Sequence, residues 1–128
     1  MTLLLDTHAL IWYLEGSERL SRAGRAAIED SRNERFVSHA TAWELAVKLS
    51  LGKLQLQIPF SELFPKVIAA NGFHVLPPEF LHYQELLNMP LHHRDPFDRL
   101  LIAQARVERL TVVTSDAHFA MYGIPVLW

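Results

Sequence analysis

Short apolar runs alternate with longer stretches of helical character along the chain. Five runs rich in Leu, Val and Phe are too short for helices and predict buried strands: Leu3–Leu5, Phe36–Val37, Phe73–Leu76, Thr111–Val113 and Ile124–Leu127. Five stretches between them have helix-forming residues or apolar residues at helical spacing: Ser21–Asp30, Ala42–Leu51, Glu62–Ala70, Glu79–Leu87 and Pro96–Leu110. This alternation predicts an α/β fold, with a parallel sheet covered by helices on both faces.

Several helix boundaries carry residues that start or stop helices. Gly52 is a natural C-terminal stop for the helix that precedes it. Ser61 is expected to cap the next helix, where Pro65 is tolerable only near the first turn. Asp95 followed by Pro96 predicts a cap and a first-turn proline.

Composition indicates one domain over residues 1–128, long enough to bury a core without disulfides or a structural metal. Half of the residues are hydrophobic, and the mean hydropathy is +0.09. This richness favours a partner or a second subunit that covers apolar surface. The chain has no cysteine, which excludes disulfides, thiol nucleophiles and Cys-ligated zinc.

The N-terminal sequence and the net charge bear on where the protein is located and on what it can bind. Residues 1–16 lack a basic segment, and Asp6 interrupts their apolar run, so we expect neither a signal peptide nor a membrane span. We therefore expect a cytoplasmic protein. The net charge of −2 lacks the basic footprint of a typical nucleic-acid binder, although a bound metal ion can supply positive charge for a phosphate.

Four acidic residues follow predicted strands or lie near the starts of predicted helices. Asp6 follows the first predicted strand and Asp116 the fourth, and each begins a helix. Glu44 lies early in the helix after the second strand, and Asp98 in the first turn of the helix before the fourth. Ligands bind at the carboxyl ends of parallel strands, so we expect all four acids at one edge. Asp6 can reach Asp116 only if strands one and four are neighbours.

Helix capping is the alternative role for each acid. Asp6 and Asp116 have the positions of N-caps, Thr41-Ala-Trp-Glu44 has the form of a capping box, and Glu44 can pair with Lys48 one turn later. For any one acid capping is the more frequent role. Four carboxylates at one edge, however, repel and raise one another's pKa. A divalent cation relieves that conflict.

An all-oxygen acidic cluster selects Mg²⁺, or Mn²⁺, rather than zinc. Phosphodiester hydrolysis suits such a site, because the ion polarises the phosphate and makes a bound water more acidic. We expect Asp6, Asp98 and Asp116 to hold the metal directly or through waters, and Glu44 to bridge or to orient a water. Attack by water leaves a 5′-phosphate and a 3′-hydroxyl.

Four motifs follow one another along the chain: Leu5-Asp6-Thr7, Ser38-x-x-Thr41-x-x-Glu44-Leu45, Asp95-Pro-Phe-Asp98-Arg-Leu-Leu-Ile-Ala and Thr114-Ser-Asp116-x-x-Phe119. Their order resembles PIN-domain nucleases, and their spacing is similar to that of VapC-type toxins of bacterial toxin–antitoxin pairs. The resemblance covers nearly the whole chain. It implies a three-layer α/β/α sandwich with a five-stranded parallel sheet, an acidic magnesium site, RNA cleavage, a homodimer and a cognate antitoxin. The apolar run after the third motif matches Asp98, which leaves Asp95 as the helix cap.

The favoured interpretation is a magnesium-dependent endoribonuclease, the toxin of a toxin–antitoxin pair. One alternative is a non-catalytic RNA- or protein-binding module on the same fold. Another is a phosphatase with an aspartate nucleophile, but such enzymes typically need Asp-x-Asp after the first strand, where this chain has Asp6-Thr-His8. His8 and His118 each lie two residues after a site aspartate, and we expect them to form hydrogen bonds rather than to ligate metal.

Overall fold

A five-stranded parallel sheet forms the centre of the protein. We describe a computed structural model that covers residues 1–128. The strands are β1 Thr2–Leu5, β2 Glu34–Ser38, β3 His74–Leu76, β4 Thr111–Val113 and β5 Val126–Leu127. They pair in parallel in the order β3-β2-β1-β4-β5. Strands β1 and β4 are therefore neighbours, as predicted.

Helices connect the strands. They are α1 Thr7–Glu15, α2 Arg22–Glu29, α3 His39–Ser50, α4 Phe60–Glu62, α5 Ile68–Ala70, α6 Phe80–Asn88, α7 Pro96–Glu108 and α8 Ala117–Ala120. A five-residue π-type turn, Leu63–Val67, joins α4 to α5. None of the helices has both the length and the apolar character needed to cross a membrane.

Both faces of the sheet are covered, which confirms the predicted α/β architecture. Alternate residues of a strand point to opposite faces, and β1 shows this with three fully buried leucines. Leu3 and Leu5 pack in one core cluster with Leu10 of α1. Leu4 packs in a second cluster with Leu101 of α7. Because β1 is buried on both sides, its carboxyl end lies at the centre of one sheet edge.

The prediction of a continuous helix over Glu62–Ala70 with a Ser61 cap is wrong. Helical geometry begins earlier, after Pro59, and breaks at Phe64, whose φ of −114° and ψ of 122° are extended. The residue before a proline is biased away from α-helical angles, so Pro65 divides the segment.

The alternative role of Thr41 and Glu44 as a capping box does not hold in the structure. Helix α3 starts directly after β2, and Ser38 caps it by accepting a hydrogen bond from the Ala40 N–H. Thr41 therefore lies inside the helix, and Glu44 is free for another role. The helix ends as predicted before Gly52, which has a φ of +69°.

Candidate active site

Asp6 and Asp116 lie together at the carboxyl ends of β1 and β4. The register pairs Leu5 with Val113, and the Asp6 N–H donates to the Val113 carbonyl. Each aspartate also caps a helix, since Asp6 Oδ1 accepts from the Ala9 N–H at 2.7 Å and Asp116 Oδ1 accepts from the His118 N–H at 2.9 Å. Each cap uses Oδ1 alone. Capping and metal binding are therefore compatible roles for these side chains.

Glu44 lies in the second turn of α3 and is held by two partners. Its carboxylate Oε1 accepts from the Thr7 hydroxyl at 2.6 Å, and Oε2 pairs with Lys48 one turn later. The Glu44 side chain is only 5% exposed. The Lys48 pair agrees with the sequence, whereas the role of Thr7 was missed, although Thr7 directly follows Asp6 in the first motif. These contacts fix the orientation of the Glu44 carboxylate.

Asp98 does not serve as the cap of its own helix. Asp95 performs that role, because its Oδ1 accepts from the N–H groups of Phe97 and Asp98. The assignment of Asp95 to the cap is therefore confirmed. The Asp98 side chain is 20% exposed, and its Oδ2 lies 3.5 Å from His93 Nε2.

Burial and neighbouring carboxylates both perturb the ionisation of Asp98. The pKa of Asp98 is raised to about 7. Burial is the largest cause, and four neighbouring carboxylates add to it: those of Asp95, Glu44, Asp116 and Asp6. Burial likewise raises the pKa of Asp6. We call Asp6, Glu44, Asp98 and Asp116 the acidic site. The repulsion that these carboxylates exert on ionised Asp98 is the condition that a bound divalent cation relieves.

The donor atoms fit a hard cation that retains water. All four side chains offer carboxylate oxygens, the ligands that Mg²⁺ prefers. No three His, Asp or Glu side chains converge tightly enough to ligate one ion together. Magnesium typically binds one or two carboxylates directly and keeps several waters, so the remaining carboxylates would contact the ion through water.

Three histidines near the acidic aspartates make different contacts. His118 Nδ1 lies 2.9 Å from Asp116 Oδ1, a hydrogen bond of the kind the sequence led us to expect. His8 instead packs against Trp12, with ring centroids 5.3 Å apart. His93 was missed, because an adjacent His92-His93 pair carries no metal-ligand spacing. Burial, followed by the nearby His118, lowers the pKa of His93.

The parallel sheet and the acids at its edge can be compared with those of known protein families. The model of the PIN domain family matches residues 3–124, so the chain belongs to the PIN domain family. PIN domains are generally nucleases, and PIN nucleases typically use a divalent metal. A comparison with curated proteins gives no match.

Solved structures with the same fold cover almost the whole chain. VapBC2 from Rickettsia felis, bound to a DNA fragment from its promoter, matches with a TM-score of 0.72 and 12% identity over 98% of this chain and 97% of that one. FitAcB from Neisseria gonorrhoeae matches with a TM-score of 0.64 and 19% identity over 97% and 95%. VapBC-1 from nontypeable Haemophilus influenzae matches with a TM-score of 0.61 and 15% identity over 98% and 96%. These likenesses show the fold.

Proposed function

We propose that this protein is a magnesium-dependent endoribonuclease that acts as the toxin of a toxin–antitoxin pair. The observation that carries the proposal is the acidic site itself. Four segments that are distant in sequence contribute its carboxylates, and their mutual repulsion helps to raise the pKa of Asp98 to about 7. A cluster kept only for capping has no reason to gather charges that repel one another, because Ser or Asn caps about as well without a charge.

Each residue of the acidic site has a distinct task in this proposal. Asp6, Asp98 and Asp116 hold the divalent ion, directly or through water. Glu44 is held by Thr7 and Lys48 and keeps a fixed carboxylate available to orient a water. The bound ion supplies charge neutralisation at the phosphate and lowers the pKa of water. The chain has no cysteine nucleophile, and the proposal requires no covalent intermediate on the protein.

The test is RNA cleavage by the purified protein with Mg²⁺, with Mn²⁺ and with excess EDTA. Cleavage is expected only with a metal and is expected to leave 5′-phosphate and 3′-hydroxyl ends. Asp6→Asn and Asp98→Asn should abolish it, while Asp30→Asn, a change outside the acidic site, should leave it unchanged. Binding of RNA without turnover would support the non-catalytic alternative. Phosphate trapped covalently on Asp6 would support the phosphatase.

The toxin role rests on the motif resemblance and on the similar structures, which are those of VapBC2, FitAcB and VapBC-1. Cleavage of cellular RNA by this chain requires a cytoplasmic location. An antitoxin needs an apolar surface to cover, and a cleft lies beside α1, lined by Leu10, Ile11, Leu14, Leu56, Ile58 and Leu63. Helix α1 begins next to Asp6, so we propose that a segment seated in this cleft extends an Arg towards the carboxylates, which the planar fork of Arg suits.

Co-expression with the neighbouring gene tests this partner. Induction of the toxin alone should arrest growth, and co-expression should relieve the arrest. Asp98→Asn should remove the arrest without removing the complex. Arrest that persists with both proteins present would contradict the antitoxin assignment.

The proposal also includes a homodimer, since closed two-fold pairs are the commonest oligomers. Helix α6 presents apolar side chains to solvent: Phe80 is 92% exposed, Leu87 81% and Leu81 61%. Exposed apolar side chains on one short helix favour a contact in which a second copy of the chain covers them.

A further inference from the structure

A buried hydrogen-bond network lies beside the acidic site and centres on the Tyr122 hydroxyl. Arg99 Nη1 donates to this oxygen at 3.0 Å, and the His93 backbone N–H donates to it at 3.2 Å. His93 Nδ1 lies 2.8 Å from the same oxygen. Tyr122 is 3% exposed and Arg99 9%, so protein groups must satisfy this network.

Counting protons in this network determines the tautomer of His93. A guanidinium and a backbone N–H can only donate, and together they occupy the two lone pairs of the Tyr122 oxygen. The hydroxyl proton must therefore go to an acceptor, and His93 Nδ1 is the acceptor within reach. A ring nitrogen that accepts carries no proton, so the proton of the neutral imidazole resides on Nε2.

The protonated nitrogen lies next to the acidic site. His93 Nε2 is buried and has no hydrogen-bond partner, and it lies 3.5 Å from Asp98 Oδ2. The imidazole also stacks on His118, with centroids 4.7 Å apart and planes 7° from parallel. His118 in turn contacts Asp116. The ring of His93 is thus held on one edge by Tyr122 and on one face by His118.

We propose that His93 is a positioning residue for Asp98: Tyr122 and Arg99 hold it as the Nε2–H tautomer, and its N–H orients the Asp98 carboxylate towards the divalent ion. The inference rests on the metal site of the proposed function. Groups that orient a metal-binding carboxylate typically change metal affinity or activity by about 10- to 100-fold when they are removed.

The chain contains a matched control in His82 of α6. The His82 Nδ1 accepts from the Glu79 N–H at 2.9 Å, and its buried Nε2 has no hydrogen-bond partner and lies 3.6 Å from Glu108 Oε1. His82 therefore repeats the arrangement at the other end of α7, since Asp98 and Glu108 are about 15 Å apart along that helix. A variant of His82 measures the effect of removing a buried histidine that lies outside the acidic site.

The first measurement is the histidine tautomer in the metal-free protein, from long-range ¹⁵N–¹H NMR correlations. His93 is expected as the Nε2–H tautomer in the wild type, and Tyr122→Phe is expected to populate the Nδ1–H tautomer. The second is Mg²⁺ affinity by calorimetry. His93→Asn retains an acceptor near Tyr122 but lacks a group at the Nε2 position, and should weaken Mg²⁺ binding about tenfold or more. His93→Gln places an amide N–H near that position and should retain most of the affinity.

His82→Asn should leave Mg²⁺ affinity within about twofold of the wild type, well below the loss expected at a metal-orienting residue. An Nδ1–H tautomer in the wild type, unchanged Mg²⁺ affinity in His93→Asn, or an equal loss in His82→Asn would overturn the inference. Mg²⁺ binding that weakens in His93→Asn in a protein that never cleaves RNA would reject the nuclease and uphold the role of His93. A wild type that binds no Mg²⁺ would reject both.

Discussion

The burial of Asp98, together with the carboxylates around it, predicts that removing its charge stabilises the metal-free protein. A pKa raised from 3.8 to about 7 corresponds at full value to about 4 kcal/mol against the ionised form. The side chain is 20% exposed and borders solvent, so screening reduces this, and we expect about 2 kcal/mol. That is a substantial fraction of a typical unfolding free energy of about 5–15 kcal/mol.

The direction of the pKa shift of Asp98 determines how the stability difference changes with pH. The folded state holds the Asp98 proton more tightly than the unfolded state does. The penalty is therefore absent below about pH 4, grows as the pH rises, and is complete above the folded pKa of about 7. Asp98→Asn should match the wild type in stability near pH 4 and exceed it by about 2 kcal/mol at pH 8.

Urea unfolding in EDTA at pH 4.5, 6 and 8 measures this difference. Asp30→Asn is the control with the opposite sign, because hydrogen bonds from Arg32 hold the pKa of Asp30 at about 2, and its removal should lower stability at pH 8. Mg²⁺ should then stabilise the wild type, by about 2.7 kcal/mol at 100 times its Kd, and Asp98→Asn much less. Equal or lower stability of Asp98→Asn at pH 8, with an unchanged m-value, would refute the idea that burial and neighbouring carboxylates disfavour the ionised form of Asp98.

Two further predictions concern the helix cap and association. Asp95→Ala should lower the unfolding free energy by about 1 kcal/mol, because two N–H groups at the start of α7 lose their acceptor. Asp95→Asn should change the unfolding free energy little, because Asn is also a good cap. A comparable loss of stability in both variants would contradict a capping role. Light scattering should show twice the 14.7 kDa chain mass at micromolar concentration, and Phe80→Asp combined with Leu87→Asp should produce the monomer. A wild type that scatters as a monomer would exclude the homodimer.

Sequence patterns predicted much of the sheet and its edge. The strand at Thr111–Val113 has the predicted bounds, and the others differ at their ends, because short apolar runs mark a strand's centre better than its limits. Alternation of strands and helices required parallel pairing, and parallel pairing places the residues after β1 and β4 at one edge. The closeness of Asp6 and Asp116 also required β1 and β4 to be neighbours, as they are in the sheet.

Local patterns failed where two signals competed for the same residues. Ser38 stood close enough to the end of β2 to cap α3 itself, and this displaced the capping box expected at Thr41. Pro65 constrained Phe64 to extended angles and divided a segment with good helical composition. In both cases a residue already present in the pattern had a stronger local effect than the one assigned to its neighbours.

The sequence by itself determined which acids are available and that Asp6 and Asp116 follow strands, because the alternation of strands and helices is encoded in local hydrophobic periodicity. Only the tertiary structure decided how those acids interact. The support of Glu44 by Thr7 and the orientation of His93 by Tyr122 join residues 37 and 29 positions apart. The raised pKa of Asp98 depends on burial and on the distant Glu44, Asp116 and Asp6 as well as on the nearby Asp95. Such contacts depend on distances of a few ångströms between packed elements, and no local pattern in a single sequence specifies them.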